Sequence, residues 1–146
     1  MMFFGNHRER GHHIIVGCGR LGANLANTLS DEGKNVVMID KNEGAFRKLS
    51  ASFGGILLAG DATDLATLRE AQIEAATAVI TVTNHDNTNI LVAQIAKEMF
   101  KIDQVVARLY DPERECVYHE FKIATISPAT LSRKEIERYL GEGADR

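Results

Sequence analysis

Six consecutive residues, Gly17-Cys18-Gly19-Arg20-Leu21-Gly22, follow the apolar run Ile14-Ile15-Val16 and carry the spacing G-x-G-x-x-G. A strand that ends in this pattern and opens a helix makes a grip for a diphosphate. The first glycine permits the tight turn, the second lets the backbone approach the phosphates, and the third lets helix and strand pack closely. The N-terminus of the following helix adds free N–H groups and partial positive charge. Asp40 lies 23 positions after Gly17. A carboxylate at that distance accepts hydrogen bonds from ribose hydroxyls and disfavours a 2′-phosphate, which points to NAD or a plain adenine nucleotide before NADP. Lys41 beside it softens that preference. Asp40 also reads as an ordinary strand-end turn residue.

Arg20 sits at the mouth of the loop. Its guanidinium can clamp phosphate oxygens in a fork, which would favour ADP or ATP; the alternative is a solvated residue in the first turn of a helix. Cys18 occupies a loop position where a small side chain suffices. With Cys116 it makes neither a zinc spacing nor a disulfide framework, and two reduced thiols are expected. Two further turns point at the same crevice. Gly60-Asp61-Ala62-Thr63-Asp64 and Thr83-Asn84-His85-Asp86 each follow an apolar run. Ligands of open α/β sheets lie at such strand ends, although Asp61, Asp64, Asn84 and Asp86 are also good helix caps.

These residues need a scaffold, and the chain supplies one by alternation. Apolar runs at Ile14–Val16, Val36–Asp40, Ile56–Ala59, Ala78–Thr83, Gln104–Tyr110 and Thr125–Ser127 alternate with segments of helical period. The predicted helices are Arg20–Glu32 with Gly33 as its stop, one capped by Asn42, one from about Asp64, one carrying Ile90 to Met99, one from Pro112 toward Phe121, and a last one from Pro128. Continuous rather than alternating apolar runs predict a parallel sheet covered on both faces. The expected fold is therefore a Rossmann-like, doubly wound parallel sheet of about six strands in three α/β/α layers. It should occupy residues 13–140, with a flexible N-terminal arm over 1–12 and a disordered tail over 141–146.

The chain has 146 residues, 45% of them hydrophobic and 25% charged, which suits one soluble domain. A net charge of −3 gives no electrostatic case for nucleic-acid binding. No apolar run approaches the roughly 18 residues that span a bilayer. The N-terminus has no apolar core of a secretory signal. These points predict a cytoplasmic protein without direct membrane insertion. His12, His13 and His119 form no metal-ligand spacing, and no metal is predicted.

Taken together, the segments VGCGRLG, VVMIDKN, GDATDLATLREAQIEAATAVITVTNHDNTN, ARLYDPE and ATISPATLSRKEI resemble the nucleotide-binding N-terminal domain of the Trk/Ktr potassium-uptake regulators, the RCK N-terminal domain. They extend from about Ile14 to Leu140. The resemblance implies a Rossmann domain that binds NAD(H) or the adenine nucleotides ATP, ADP or AMP. It implies a homodimer or higher ring at the inner face of the membrane, where bound nucleotide gates a potassium-translocating subunit. By position, Gly17, Gly19, Arg20, Leu21 and Gly22, with Cys18 between them, would hold phosphate. Asp40, with Lys41, would hold ribose; Gly60, Asp61, Ala62, Thr83 and Asn84 would line the adenine side; and Arg108 would face the phosphates. Many relatives carry a second, C-terminal ligand-binding domain. This chain ends soon after the sixth strand, which leaves two ways to complete a ring, alone or with another subunit.

The competing expectation is a small NAD-dependent oxidoreductase. Tyr118 and Lys122 have the Tyr-x-x-x-Lys spacing of short-chain dehydrogenases, but those enzymes have a different glycine pattern and more chain before the tyrosine. Short loops also leave no obvious substrate domain. The apolar residues of the last helix, Leu131, Ile136, Tyr139 and Leu140, fit either a dimer contact or packing on the chain's own sheet.

Overall fold

The computed structural model describes residues 11–145. Six strands form one sheet: β1 (His13–Val16), β2 (Val36–Asp40), β3 (Ile56–Ala59), β4 (Ala78–Thr81), β5 (Gln104–Arg108) and β6 (Ala124–Ile126). All neighbouring pairs are parallel, in the order β3-β2-β1-β4-β5-β6. Order therefore reverses between β1 and β4, so the crevice of a doubly wound sheet falls there.

Successive residues of a strand point to opposite faces, and both faces of the central strands are buried, while Leu57 on edge strand β3 is exposed. Ile14, Val16, Val37, Ile39 and Val79 join one core with Leu68, Val92 and Ile102. Ile15, Val36 and Met38 join a second core with Ala26 and Val82. This double burial produces the three layers that the apolar runs predict. The principal helices are α1 (Arg20–Asp31), α2 (Leu65–Glu70), α3 (Asp86–Gln94), α4 (Glu115–His119) and α5 (Pro128–Asp145).

Several elements differ locally from expectation. The segment after Asn42 is a 3-10 helix, Glu43–Lys48, capped as predicted by the Asn42 side chain accepting from Gly44 N–H. Six residues between two turns favour the tighter helix, which is used in short pieces. α3 ends in a π turn, Ile95–Met99, and the chain leaves it through Lys101 at φ +55°. The helix predicted from Pro112 opens as a 3-10 turn, Pro112–Arg114, before α4, and Lys122 at φ +60° closes it.

Both chain ends also depart from expectation. Residues 1–10 of the predicted arm lie outside the described residues, but His12 is buried, and its Nε2 lies 2.9 Å from the Ala71 carbonyl oxygen. Its carbonyl accepts from Thr77 N–H. His12 is thus held at the start of β1 by Ala71 and Thr77. At the other end α5 continues through Asp145, so residues 141–145 are helical; Arg146 lies outside the described residues. Leu131, Ile136, Tyr139 and Leu140 are 56–71% exposed. They do not pack on the chain's own sheet.

Candidate functional site

A cleft of about 520 Å³ opens at the carboxyl ends of β1 to β4. The glycine loop forms one wall, and each glycine answers a different constraint. Gly17 has φ +108°, and a Cβ there would stand 2.8 Å from Thr83 N. Gly22 is buried, and a Cβ would collide with the Gly17 carbonyl oxygen. Gly19 would meet nothing within 4 Å; its backbone faces open space. It is also the N-cap of α1, and no side chain caps that helix. The first intrahelical bond runs from Ala23 N–H to the Gly19 carbonyl. The amides of Arg20, Leu21 and Gly22 therefore precede the hydrogen-bonded ladder, as at any helix start. A helix start of this kind can receive an anion, and Gly19, its N-cap, is the residue of it that lines the cleft.

Asp40 is tied to this loop. One carboxylate oxygen accepts from Cys18 N–H at 2.7 Å and the other from Asn42 N–H at 2.8 Å. A carboxylate offers about four acceptor positions, so both oxygens retain capacity for ribose hydroxyls. Burial pushes the Cys18 thiol pKa up, the nearby Asp40 charge raises it further, and Lys48 opposes. The thiol is therefore kept protonated and unreactive.

The third wall comes from the β3 turn. Asp61 accepts from both the hydroxyl and the N–H of Thr63, at 2.7 and 2.9 Å. These bonds hold its carboxyl below the usual range, against a small opposing effect of burial and with help from Lys41, 4.0 Å away. Gly60, Ala62 and Lys41 line the cleft beside it, and Thr83 and Asn84 line it from the end of β4. Sequence reasoning missed Ala45, Lys48 and Thr88 as lining residues, and placed Thr63 only as a member of a turn facing the crevice. The Asp-x-Thr turn that orders Thr63 was readable in principle. The others depend on how the 3-10 helix and α3 fold back over the strands.

Four predicted residues do not line the cleft. Arg20 is exposed at the start of α1, and Leu21 packs half-buried on the second core. Gly22 acts from beneath the loop. Arg108 is buried, with Nη2 donating to the carbonyls of Val82 and Thr83, both at 2.8 Å. Its side chain thus braces the end of β4 rather than facing the loop. Asn89, unremarked in the sequence, is fully buried at the centre of this brace. Its Oδ1 accepts from the Thr81 and Thr83 hydroxyls and from Thr83 N–H. Its Nδ2 donates to the carbonyls of Thr83 and Arg108.

Tyr118 lines no part of the cleft. It is buried in the core, and burial raises its pKa, with Arg114 opposing and Asp86 adding. Among the described residues no group of three or more His, Cys, Asp or Glu could hold a metal ion, and no helix is long and apolar enough to cross a membrane.

Residues 13–128 match the model of the TrkA-N domain. The chain is 42% identical over 135 residues to the Trk system potassium uptake protein TrkA of Streptomyces coelicolor, covering 92% of this chain and 60% of that protein. Among solved structures, the GsuK RCK domain matches with TM-score 0.77 and 25% identity, covering 97% of this chain and 30% of the other. A GsuK channel bound to NAD matches with TM-score 0.68 and 18% identity, over 81% of this chain and 21% of the other, a likeness of fold.

Proposed function

The chain belongs to the TrkA-N domain family, and from that premise we propose that it is a nucleotide-binding regulatory subunit of a potassium-uptake system and not an enzyme. The observation that carries this reading is the meeting, in one cleft, of the open Gly19 backbone, the uncapped start of α1 and the Asp40 carboxylate. Residues 13–140 would form the nucleotide-binding domain. Gly17, Cys18, Gly19 and the first amides of α1, at Arg20 and Leu21, hold the phosphates, with Gly22 supporting them. Asp40 and Lys41 meet the ribose. Gly60, Asp61, Ala62, Thr83 and Asn84 surround the base. Arg108 would reach a phosphate only by leaving the β4 carbonyls, and Arg20 is free to reach one from outside.

The ligand on this reading is an adenine nucleotide: NAD(H), ATP, ADP or AMP. The partner is a membrane potassium-translocating subunit, met at the inner face of the membrane by a homodimer or larger ring. Nucleotide would act by binding one arrangement of that assembly more tightly than another. The buried position of Tyr118, away from the cleft, supports the non-enzymatic reading over an NAD-dependent oxidoreductase.

The test is direct. The purified protein is denatured and any released nucleotide identified by mass; the ligand-free protein is then titrated with AMP, ADP, ATP, NAD and NADH. Binding of at least one is expected, without turnover of NADH on carbonyl substrates. Binding of none overturns the nucleotide reading, and turnover revives the oxidoreductase.

A further inference from the structure

Beyond the Asn84–His85 turn the crevice continues into a second hollow of about 480 Å³ at the ends of β4 and β5, lined by Asn84, His85, Asp86, Tyr110, Asp111 and Arg114 among others. The two hollows share Asn84 and His85. The phosphate-gripping loop lies on one side of the point where strand order reverses, and the second hollow lies on the other. A dinucleotide bound to a doubly wound sheet lies across that point.

The large ring in the second hollow is Tyr110. It is 52% exposed, yet it is fixed from several directions. The Arg108 guanidinium lies over the ring, with Cζ 5.0 Å from its centroid. The Tyr110 hydroxyl donates to Asn84 Oδ1 at 3.2 Å, and Arg108 Nη2 approaches the same oxygen at 3.4 Å. The Tyr110 and Asp111 N–H groups donate to the two oxygens of Asp86, at 2.7 and 3.0 Å. An exposed aromatic side chain on an unconstrained turn would sample several rotamers. This one is pre-positioned, with much of its surface left uncovered beside a polar hollow. A rigid, half-exposed ring is suited to stacking against another flat ring.

We propose that Tyr110 is the stacking platform for the second, ring-bearing nucleoside of a dinucleotide, and that it sets the preference of this chain for NAD(H) over AMP or ADP. The inference rests on the nucleotide-binding reading above and adds to it a specificity-determining residue. The adenosine half occupies the first cleft, the diphosphate bridges at Gly19, and the nicotinamide ring lies on Tyr110 in the second hollow.

Calorimetric titration of the full chain with AMP, ADP, ATP, NAD and NADH tests this in the wild type, Tyr110→Ala and Tyr110→Phe. Loss of a stacked aromatic should weaken NAD and NADH about tenfold in Tyr110→Ala, with AMP and ADP changed less than about twofold. Tyr110→Phe keeps the ring and loses the bond to Asn84, so all these affinities should stay near wild type. Melting curves check that both variants fold. Equal losses for mono- and dinucleotides, or unchanged NAD binding in Tyr110→Ala, would overturn the proposal. So would a Phe variant as weak as the Ala variant, which would assign the effect to the Asn84 bond. Wild type that binds AMP, ADP or ATP but not NAD(H) removes this inference and keeps the nucleotide reading; wild type that binds none of these five nucleotides removes both.

Discussion

A methyl group added at Gly22 would run into the Gly17 carbonyl oxygen, whereas one added at Gly19 would meet nothing within 4 Å. The two substitutions should therefore fail differently. Gly22→Ala forces helix and loop apart, at an overpacking cost of about 1–3 kcal/mol, visible as a lower melting temperature. Gly19→Ala should melt near wild type but bind ADP roughly tenfold or more weakly, because its methyl group stands where the diphosphate approaches. A stable Gly22→Ala variant, or unchanged ADP affinity in Gly19→Ala, would contradict these roles. His12 offers a second residue-scale test. Burial lowers its pKa, the bond to Ala71 opposes, and His13 adds to the lowering. The folded state thus favours neutral imidazole. The stability this contributes is complete above the ordinary value of about 6.5 and is lost as pH falls below it through the lower folded-state value. Urea midpoints measured at about pH 8 and pH 5.5 should show this loss, and His12→Gln should reduce it.

The elements differ in how openly the sequence displays them. The strands were readable because a sheet buried on both faces needs uninterrupted apolar runs, and Val36–Ile39 is one. The glycine loop and Asp40 were readable because their spacing is set by local turn geometry. Asn89 was not: a lone amide in the first turns of a helix looks solvated, and only the convergence of β4, β5 and α3 buries it. The setting of Arg108 was hidden for a related reason: its guanidinium donates to the carbonyls of Val82 and Thr83 at the end of β4, which only the packed sheet brings within reach. Asn89→Leu keeps similar bulk while taking this partner from Thr83 N–H, the Thr81 hydroxyl and the Arg108 carbonyl; the Thr83 carbonyl keeps the Arg108 guanidinium. Each orphaned group costs about 1–3 kcal/mol before relaxation, so a total near 3 kcal/mol is expected in urea unfolding. A loss below about 1 kcal/mol would show that the brace is dispensable.

At the scale of the molecule, α5 leaves four large apolar side chains in water. If this helix is the contact of the proposed dimer, Ile136→Glu combined with Leu140→Glu should yield a monomer in sedimentation velocity with its melting behaviour kept. A persisting dimer would move the contact elsewhere. The open backbone at Gly19 has a broader implication. On the proposed binding mode the central grip on phosphate would be made of peptide groups, which are chemically the same in every protein, so it would carry no information about which nucleotide is bound. Discrimination would be written at the two ends of the crevice, in the side chains at Asp40, Asp61 and Asn84 around the adenosine half and at Tyr110 beyond it. A change of ligand could then be achieved by editing those ends while the middle stays fixed.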